Sequence, residues 1–113
     1  MANTRPRFFI YAPDNTKEGT LDKRLSVRAK HLETATANFG SGFVRVAGAL
    51  VTPESIASPD APKKMVGSAF ICEAEHIDQV WEMLKKDIYY TSGVWDVEKI
   101  VVLPYMIATP FNI

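Results

Sequence analysis

Two arginines and a histidine recur at helical spacing in the first third of the chain. At 100° per residue, Arg24, Arg28 and His31 fall with Ala35 within an arc of about 60° along one side of a helix. An imidazole titrates near neutral pH, so His31 can take up a proton and return it. Guanidinium groups beside it can hold a carboxylate, a phenolate or a developing enolate. The spacing therefore indicates acid/base chemistry on an anionic ligand.

Such a histidine needs a second group to fix its tautomer. Asp87 ends a second predicted helix, and in a fold where both helices run the same way over one sheet, the later turns of the first helix lie near it. We therefore predict a His31–Asp87 hydrogen bond, with His31 as general acid/base and Asp87 as its orienter. Ser68 can add a hydrogen bond from a strand. The aromatic walls predicted for a flat substrate are Tyr89, Tyr90 and Trp95.

Each of these residues also has a purely structural interpretation. Arg24 and Arg28 can be surface residues whose stems cover apolar atoms while their heads stay in water. A single histidine is more often structural than catalytic, and an aspartate such as Asp87 can simply end a helix. Ser68 can bond to backbone or water, and the aromatic residues can belong to the core. The sequence leaves both interpretations open.

The elements that position these residues follow from hydrophobic periodicity and from turn residues. Strands are predicted at 7–12, 43–51, 65–72 and 94–103, helices at 20–38 and 77–86, and a solvated loop at 52–64. The order strand, helix, strand, strand, helix, strand predicts an α+β ferredoxin-like fold, βαββαβ, with a four-stranded antiparallel sheet and both helices on one face. The stripe of the first helix predicted to face the core is Leu21, Leu25, Ala29, Leu32, Thr36 and Phe39.

The second face of the sheet is apolar as well. In the first strand Phe8 and Ile10 alternate with Phe9 and Tyr11, so neither face is patterned for water. Because the helices of one chain cover one face only, we expect a second copy to cover the other with two-fold symmetry, as a homodimeric α+β barrel. The apolar tail, residues 104–113, either reaches across to the partner or packs on its own subunit.

Composition narrows the class of protein. A chain of 113 residues with 47% hydrophobic residues fits a single domain over residues 1–113. Thirteen basic and thirteen acidic residues leave no net charge, so we expect neither nucleic acid nor a membrane as a partner. A lone cysteine, Cys72, favours a reducing, cytoplasmic location. The spacing of Cys72 and the two histidines predicts no metal, and no glycine-rich phosphate loop calls for a nucleotide cofactor.

Arg24 and Arg28 precede His31-Leu32, Gly48 and Gly67-Ser68 lie in predicted strands, and Asp87 and Tyr89 precede Gly93-Val94. The combined spacing of these short motifs resembles the YCII-related family. This resemblance implies a dimeric α+β barrel related to muconolactone isomerase, with an active-site pair at His31 and Asp87. Lyase-type elimination from a small cyclic or phenolic substrate is among the activities known for that family. Two positions depart from the family pattern: Asp87-Ile88-Tyr89 stands for Asp-Pro-Tyr, and Gly48-Ala49 for Gly-Pro.

Two classes of function follow from these observations. The leading hypothesis is a cofactor-independent lyase or isomerase in which His31 and Asp87 act as a general acid/base pair on a small aromatic or carbonyl-containing compound. The alternative is a non-catalytic dimer that binds a small ligand or supports a larger assembly. A cofactor-free monooxygenase is a weaker third hypothesis, because it rests on fold analogy alone. The residues predicted to bind the substrate are Arg24, Arg28, Ser68, Tyr89 and Trp95.

Overall fold

The computed structural model describes residues 5–111, and in it a four-stranded antiparallel sheet carries helices on one face. The strand order is β2-β3-β1-β4, which is the ferredoxin-like topology predicted from the sequence. Residues 1–4 and 112–113, the two ends of the predicted single domain and its tail, lie outside the described residues. The strands are β1 (Arg7–Pro13), β2 (Val44–Val51), β3 (Met65–Glu73) and β4 (Val101–Pro104), and the helices are α1 (Thr20–Ser26), α2 (Arg28–Gly40), α3 (Ile77–Lys86) and α4 (Ile88–Thr91).

The core lies between the helices and one face of the sheet. Strand β1 alternates, with Phe8 and Ile10 buried under the helices and Phe9 and Tyr11 exposed on the outer face. Helix α3 buries its apolar side, including Leu84, against the inner face. The outer face therefore carries apolar side chains that residues 5–111 leave exposed. Within residues 5–111, no helix is long and apolar enough to cross a lipid bilayer.

The helix predicted at 20–38 is divided in two by Val27. Its backbone, at φ −106° and ψ 6°, leaves the helical range and separates α1 from α2. Just before it, the Ser26 hydroxyl donates a hydrogen bond to the Lys23 carbonyl oxygen at 2.7 Å. Because a serine side chain bonded back to the helix competes for its carbonyl groups, this contact favours a bend at that point.

The core-facing stripe predicted for this helix is wrong. Leu25, Leu32 and Phe39 are 49%, 42% and 60% exposed. The side turned toward the sheet instead carries Arg24 and His31, both buried. Periodicity correctly predicted which residues share each face of the helix. It did not predict which face is buried, because the polar groups of the buried face bind partners on the sheet and on α4.

The predicted fourth strand is shortened by a turn. Only Val101–Pro104 pairs with β1, because Val97–Lys99 forms a 3-10 turn in which Lys99 N donates to Asp96 O at 2.9 Å. Trp95 and Val97 would share one face of a continuous strand, but the turn separates them, so Trp95 is buried and Val97 is exposed. Trp95 makes a single bridge with Asp14, which extends the sheet edge toward the site described below.

The loop predicted at 52–64 is not solvated throughout. Pro53–Ile56 forms a 3-10 turn in which Ser55 is fully buried. The Ser55 hydroxyl lies 2.9 Å from Thr52 Oγ1 and accepts a hydrogen bond from Lys64 N at 2.9 Å. These bonds tie both ends of the loop to its middle.

Candidate active site

A histidine and an aspartate from different helices meet at the end of α3. His31 Nδ1, on α2, lies 2.8 Å from Asp87 Oδ1, and both side chains are about nine-tenths buried. Because a carboxylate oxygen accepts, this contact assigns the proton of a neutral His31 to Nδ1 and leaves Nε2 as the basic nitrogen. The same Asp87 oxygen accepts a hydrogen bond from Tyr89 N at 2.9 Å and so caps α4.

The backbone around Asp87 explains why isoleucine can stand at position 88. Asp87 is extended, with φ −72° and ψ 139°, and Ile88 is the first residue of α4. An extended residue followed by a first helical residue is the geometry that proline favours. The backbone at Ile88 is thus one that a proline would also accept, and the Asp87 side chain is held by capping α4.

A second buried pair lies beside the first. Arg24 Nη1 donates to Asp14 Oδ1 at 2.8 Å, and each side chain is only 5% exposed. Burial raises the pKa of Asp14 above its ordinary value, and the neighbouring Arg24 opposes that rise. The other carboxylate oxygen, Oδ2, is enclosed and has no hydrogen-bond partner within residues 5–111. Arg24 is therefore fixed by an ion pair and is not a free anion holder.

Ser68 joins this pair to the sheet and to Trp95. Its hydroxyl oxygen accepts from Arg24 Nη2 at 3.0 Å and from Trp95 Nε1 at 3.2 Å. Two accepted hydrogen bonds occupy the two lone pairs of a hydroxyl oxygen, so the Ser68 proton is left as the group able to donate. Strand β3 turns Ser68 inward, because its neighbours Gly67 and Ala69 occupy the opposite side of the pleat.

The Tyr89 ring connects the two pairs. It stacks on the His31 ring at 3.9 Å between centroids with 10° between planes, and Arg24 Cζ lies 4.6 Å from its centroid. A guanidinium group over an aromatic face is attracted by the ring quadrupole. Burial raises the pKa of the Tyr89 hydroxyl, whereas Arg24 and Arg28 oppose that rise. The phenol is therefore neutral at physiological pH.

These groups border a cavity of about 250 Å³ between α2 and strands β2 and β3. Arg24, Arg28, His31, Ser68 and Tyr89 all line it. Its β2 side is made of small residues, Ala47, Gly48 and Ala49, which leave room close to the backbone. A larger cleft of about 400 Å³ lies on the other side of Asp14, along residues 15–21, and His31 and Asp87 do not border it.

Arg28 differs from Arg24 in its electrostatic role. It is exposed and forms no ion pair within residues 5–111, yet it lines the cavity. The charge of Arg24 is balanced by Asp14, so Arg28 supplies the unbalanced positive charge at the mouth. Glu73, with Arg7 and Arg45 at 2.8 and 3.1 Å, forms a separate cluster that does not border this cavity.

The structure separates the residues singled out from the sequence into two groups. Arg24, Arg28, His31, Ser68 and Tyr89 line the cavity and Asp87 stands behind His31. Trp95 is 1% exposed and lies behind Ser68, away from the cavity, and Tyr90 packs on the core. Within residues 5–111, no group of three metal-ligating side chains is found.

Sequence reasoning missed Asp14. It follows β1 in Pro13-Asp14-Asn15, a pattern that indicated a turn, and no cationic partner was visible because Arg24 was placed at the edge of the core. A signal for Asp14 was present in the sequence, but it depended on knowing which side of the helix is buried. An arginine on a helix side that is buried requires a carboxylate, and only the aspartate at the end of the neighbouring strand is within reach.

The fold and these residues define an α+β domain with a polar cavity between helix and sheet. Residues 7–104 match the YCII-related domain, so this chain belongs to the YCII-related family. The solved structure of 5-chloro-2-hydroxyhydroquinone dehydrochlorinase from Burkholderia phenoliruptrix, in complex with 2,5-dihydroxybenzoquinone, is similar with a TM-score of 0.71 and 24% identity. The match covers 88% of this chain and 93% of that one, and it shows the common fold.

Curated relatives from fungi are similar at the level of sequence. The aspercryptin biosynthesis cluster protein B of Emericella nidulans is 29% identical over 76% of this chain, which spans 54% of that relative's length. Fusaric acid biosynthesis protein 2 of Gibberella fujikuroi is 26% identical over 93% of this chain and 97% of its own. The chain thus spans about half of the first relative and nearly all of the second.

Proposed function

We propose that this protein is a cofactor-independent enzyme of lyase or isomerase type that moves a proton on a small hydroxylated or carbonyl-containing ring. One observation carries the proposal: the 2.8 Å contact between His31 Nδ1 and Asp87 Oδ1 beside a polar cavity. A carboxylate that holds Nδ1–H directs the basic Nε2 toward a ligand and stabilises the imidazolium that forms.

The charges around the cavity favour a ligand with one anionic oxygen. Arg24 is balanced by Asp14, so Arg28 remains to attract a phenolate or enolate oxygen. The Ser68 proton, left free by the two bonds that its oxygen accepts, supplies a further donor. A cavity of about 250 Å³ suits one substituted six-membered ring, since an engineered cavity of about 150 Å³ holds benzene.

An elimination at this site balances without an oxidant. When the leaving group is on an aromatic carbon, the ring first tautomerises: His31 Nε2 takes the proton of one ring hydroxyl, which becomes a carbonyl, and returns it to that carbon, which becomes saturated. His31 Nε2 then takes the proton from a second ring hydroxyl, and the electron pair of that O–H bond forms a carbonyl. The ring electrons shift to form a new double bond, and a leaving group on a saturated ring carbon departs with its bonding pair. The ligand loses one molecule of acid overall, and the proton on His31 returns to solvent.

The comparisons support this class of ligand. The similar bacterial structure is named as a dehydrochlorinase and holds a dihydroxybenzoquinone. Two fungal relatives are named for the biosynthesis of small molecules, aspercryptin and fusaric acid. We therefore choose hydroxylated six-membered rings as the first substrates to test.

The test uses 5-chloro-2-hydroxyhydroquinone, with chloride release followed by an ion-selective electrode under argon. We expect turnover by the wild type and a loss of about 10²–10⁴-fold in kcat for His31→Ala, since that is the contribution of a general acid/base. Asp87→Asn should lower kcat as well, because an amide no longer stabilises the imidazolium. The matched control is His76→Ala, at the exposed start of α3.

Unchanged chloride release by His31→Ala would contradict the acid/base role. Tight binding of 2,5-dihydroxybenzoquinone without turnover of any chlorinated or enolic ring would favour the alternative, a non-catalytic ligand-binding dimer. Folding of each variant is checked by circular dichroism, so that a lost activity is not a lost structure.

We also propose that a second copy of the chain covers the outer face of the sheet. Phe9, Tyr11 and Leu103 are 38%, 39% and 57% exposed on that face, and a group of exposed apolar side chains on one sheet face is typical of a protein–protein interface. Light scattering should give twice the chain mass of 12.6 kDa. Leu103→Arg should give a monomer, and a wild-type protein that is already monomeric would contradict the proposal.

A further inference from the structure

The Tyr89 hydroxyl is a polar group without a protein partner at the cavity. Tyr89 is only 2% exposed, and its hydroxyl makes no hydrogen bond with any of residues 5–111. In that part of the chain, the enclosed polar side-chain atoms without a partner are Asp14 Oδ2 and Ser92 Oγ. The Tyr89 hydroxyl oxygen has no partner in the described chain and is not among these enclosed atoms, so part of its surface is accessible. Tyr89 is one of the residues that line the cavity beside His31.

The ring that carries this hydroxyl is held from several sides. Asp87 Oδ1 accepts from both His31 Nδ1 and Tyr89 N, so one oxygen sets the position of both residues. The two rings are nearly parallel at 3.9 Å, and the Arg24 guanidinium lies over the Tyr89 ring at 4.6 Å. A donor fixed in this way needs little reorganisation when charge develops near it.

The neighbours of the hydroxyl suit a donor of a hydrogen bond. Burial keeps the phenol in its neutral form, because it raises the pKa of Tyr89 although Arg24 and Arg28 oppose that rise. The charged groups that act on the hydroxyl are these two arginines together with Asp87 and Asp14, and Arg28 is the arginine of the two that has no ion pair within residues 5–111. A ligand oxygen placed between Arg28 and Tyr89 would meet one cation and one neutral donor.

We propose that the Tyr89 hydroxyl is a catalytic hydrogen-bond donor, which stabilises the ligand oxygen that gains negative charge when His31 takes a proton from the same ring. This inference rests on the proposed function and names a third group in its site. The Tyr89 and His31 rings stack at 3.9 Å between centroids and both residues line the cavity, so one ligand can contact both. The proton stays on Tyr89, so no further acid or oxidant is required.

A purely structural role for Tyr89 makes a different prediction. The ring contributes packing to the core and the stack on His31, and both survive when the hydroxyl alone is removed. Tyr89→Phe therefore separates the two roles. Its thermal midpoint should equal that of the wild type, since no hydrogen bond to the described chain is lost. The matched control is Tyr90→Phe, a neighbouring half-buried tyrosine that does not line the cavity.

The experiment measures chloride release from 5-chloro-2-hydroxyhydroquinone and binding of 2,5-dihydroxybenzoquinone by its visible absorbance. For Tyr89→Phe we expect kcat to fall about 10²-fold, as for removal of one donor to a developing oxyanion, with KM changed less than about threefold. Binding of the dihydroxybenzoquinone, which already carries anionic oxygens, should weaken about tenfold. Tyr90→Phe should match the wild type in both assays.

The outcomes distinguish this inference from the proposed function. If His31→Ala is inactive while Tyr89→Phe equals the wild type in turnover and binding, the role of Tyr89 is refuted and the proposed function stands. If the wild type neither binds nor converts either ring compound, both proposals fail for this class of ligand. A drop in kcat accompanied by an equal drop in folded fraction would also count against a catalytic role.

Discussion

Replacing Asp14 with alanine removes the only carboxylate among residues 5–111 that is bonded to the buried Arg24. Both side chains are 5% exposed, so the guanidinium cannot turn to bulk water without leaving its bond to Ser68. Breaking one partner of a buried ion pair typically costs about 3–5 kcal/mol, because a charge stays buried without compensation. We expect this cost in the free energy of unfolding. For a small domain with a urea m-value of about 1–3 kcal/mol/M, the midpoint falls by more than about 1 M.

Urea unfolding followed by tryptophan fluorescence measures this loss, since Trp95 is buried beside Ser68. The control is Asp96→Ala, which breaks the exposed Asp96–Lys99 pair at 3.7 Å and should cost less than about 1 kcal/mol. The double variant Asp14→Ala with Arg24→Met should be no less stable than Asp14→Ala alone, because it removes the uncompensated charge. Equal, small losses for Asp14→Ala and Asp96→Ala would refute the view that this pair anchors the site.

Three further predictions concern other parts of the chain. Burial raises the pKa of Glu73, but the hydrogen bonds from Arg7 and Arg45 outweigh it and hold the folded pKa below 4.5. The stabilisation that the Glu73 carboxylate provides is thus complete at pH values above its pKa in the unfolded chain. It is lost as pH falls through its pKa in the folded protein. Glu73→Gln should cost about 1 kcal/mol at pH 7 in urea unfolding, since both arginines are partly exposed, and should flatten the acid limb below pH 4.5. Burial raises the pKa of the Cys72 thiol to about 12, so at pH 8 it should react with a disulfide reagent only as fast as the protein unfolds; rapid labelling would contradict this. Phe39→Ser should change the unfolding free energy by less than about 0.5 kcal/mol, whereas Leu84→Ala should cost about 2–5 kcal/mol. A large loss of stability in Phe39→Ser would show that the apolar stripe of the first helix is part of the core.

The order of strands and helices was predictable because each element carries its own period and its own turn residues. Gly40-Ser41-Gly42 ends the first helical region, and the alternation of Phe8 and Ile10 with Phe9 and Tyr11 identifies a strand with two apolar faces. Six elements in the order βαββαβ leave few antiparallel arrangements with short connections. The ferredoxin-like topology follows from local signals together with these connection rules.

The orientation of the first helix was not predictable from the same signals. An apolar stripe indicates the buried side only where the surface beneath it is apolar as well. Here that surface offers Ser68 and Asp14, so the polar side with Arg24 is buried and Leu25 on the apolar side is exposed. Which side of the helix is buried depends on partners that are distant in sequence, and the local pattern of hydrophobic residues does not reveal those partners. Asp14 was missed for the same reason.

The double role of Asp87 Oδ1 makes the Tyr89 backbone amide an internal reporter. Its proton shares an acceptor with the His31 imidazole, so rotation of His31 or a shift of the Asp87 side chain changes the field at that amide. The amide resonance of one residue can therefore be followed by NMR during a pH titration or ligand titration, with no substrate turnover required. Any event that loosens the one-turn helix α4 also releases the imidazole, and the exchange rate of this single proton would measure how often that happens.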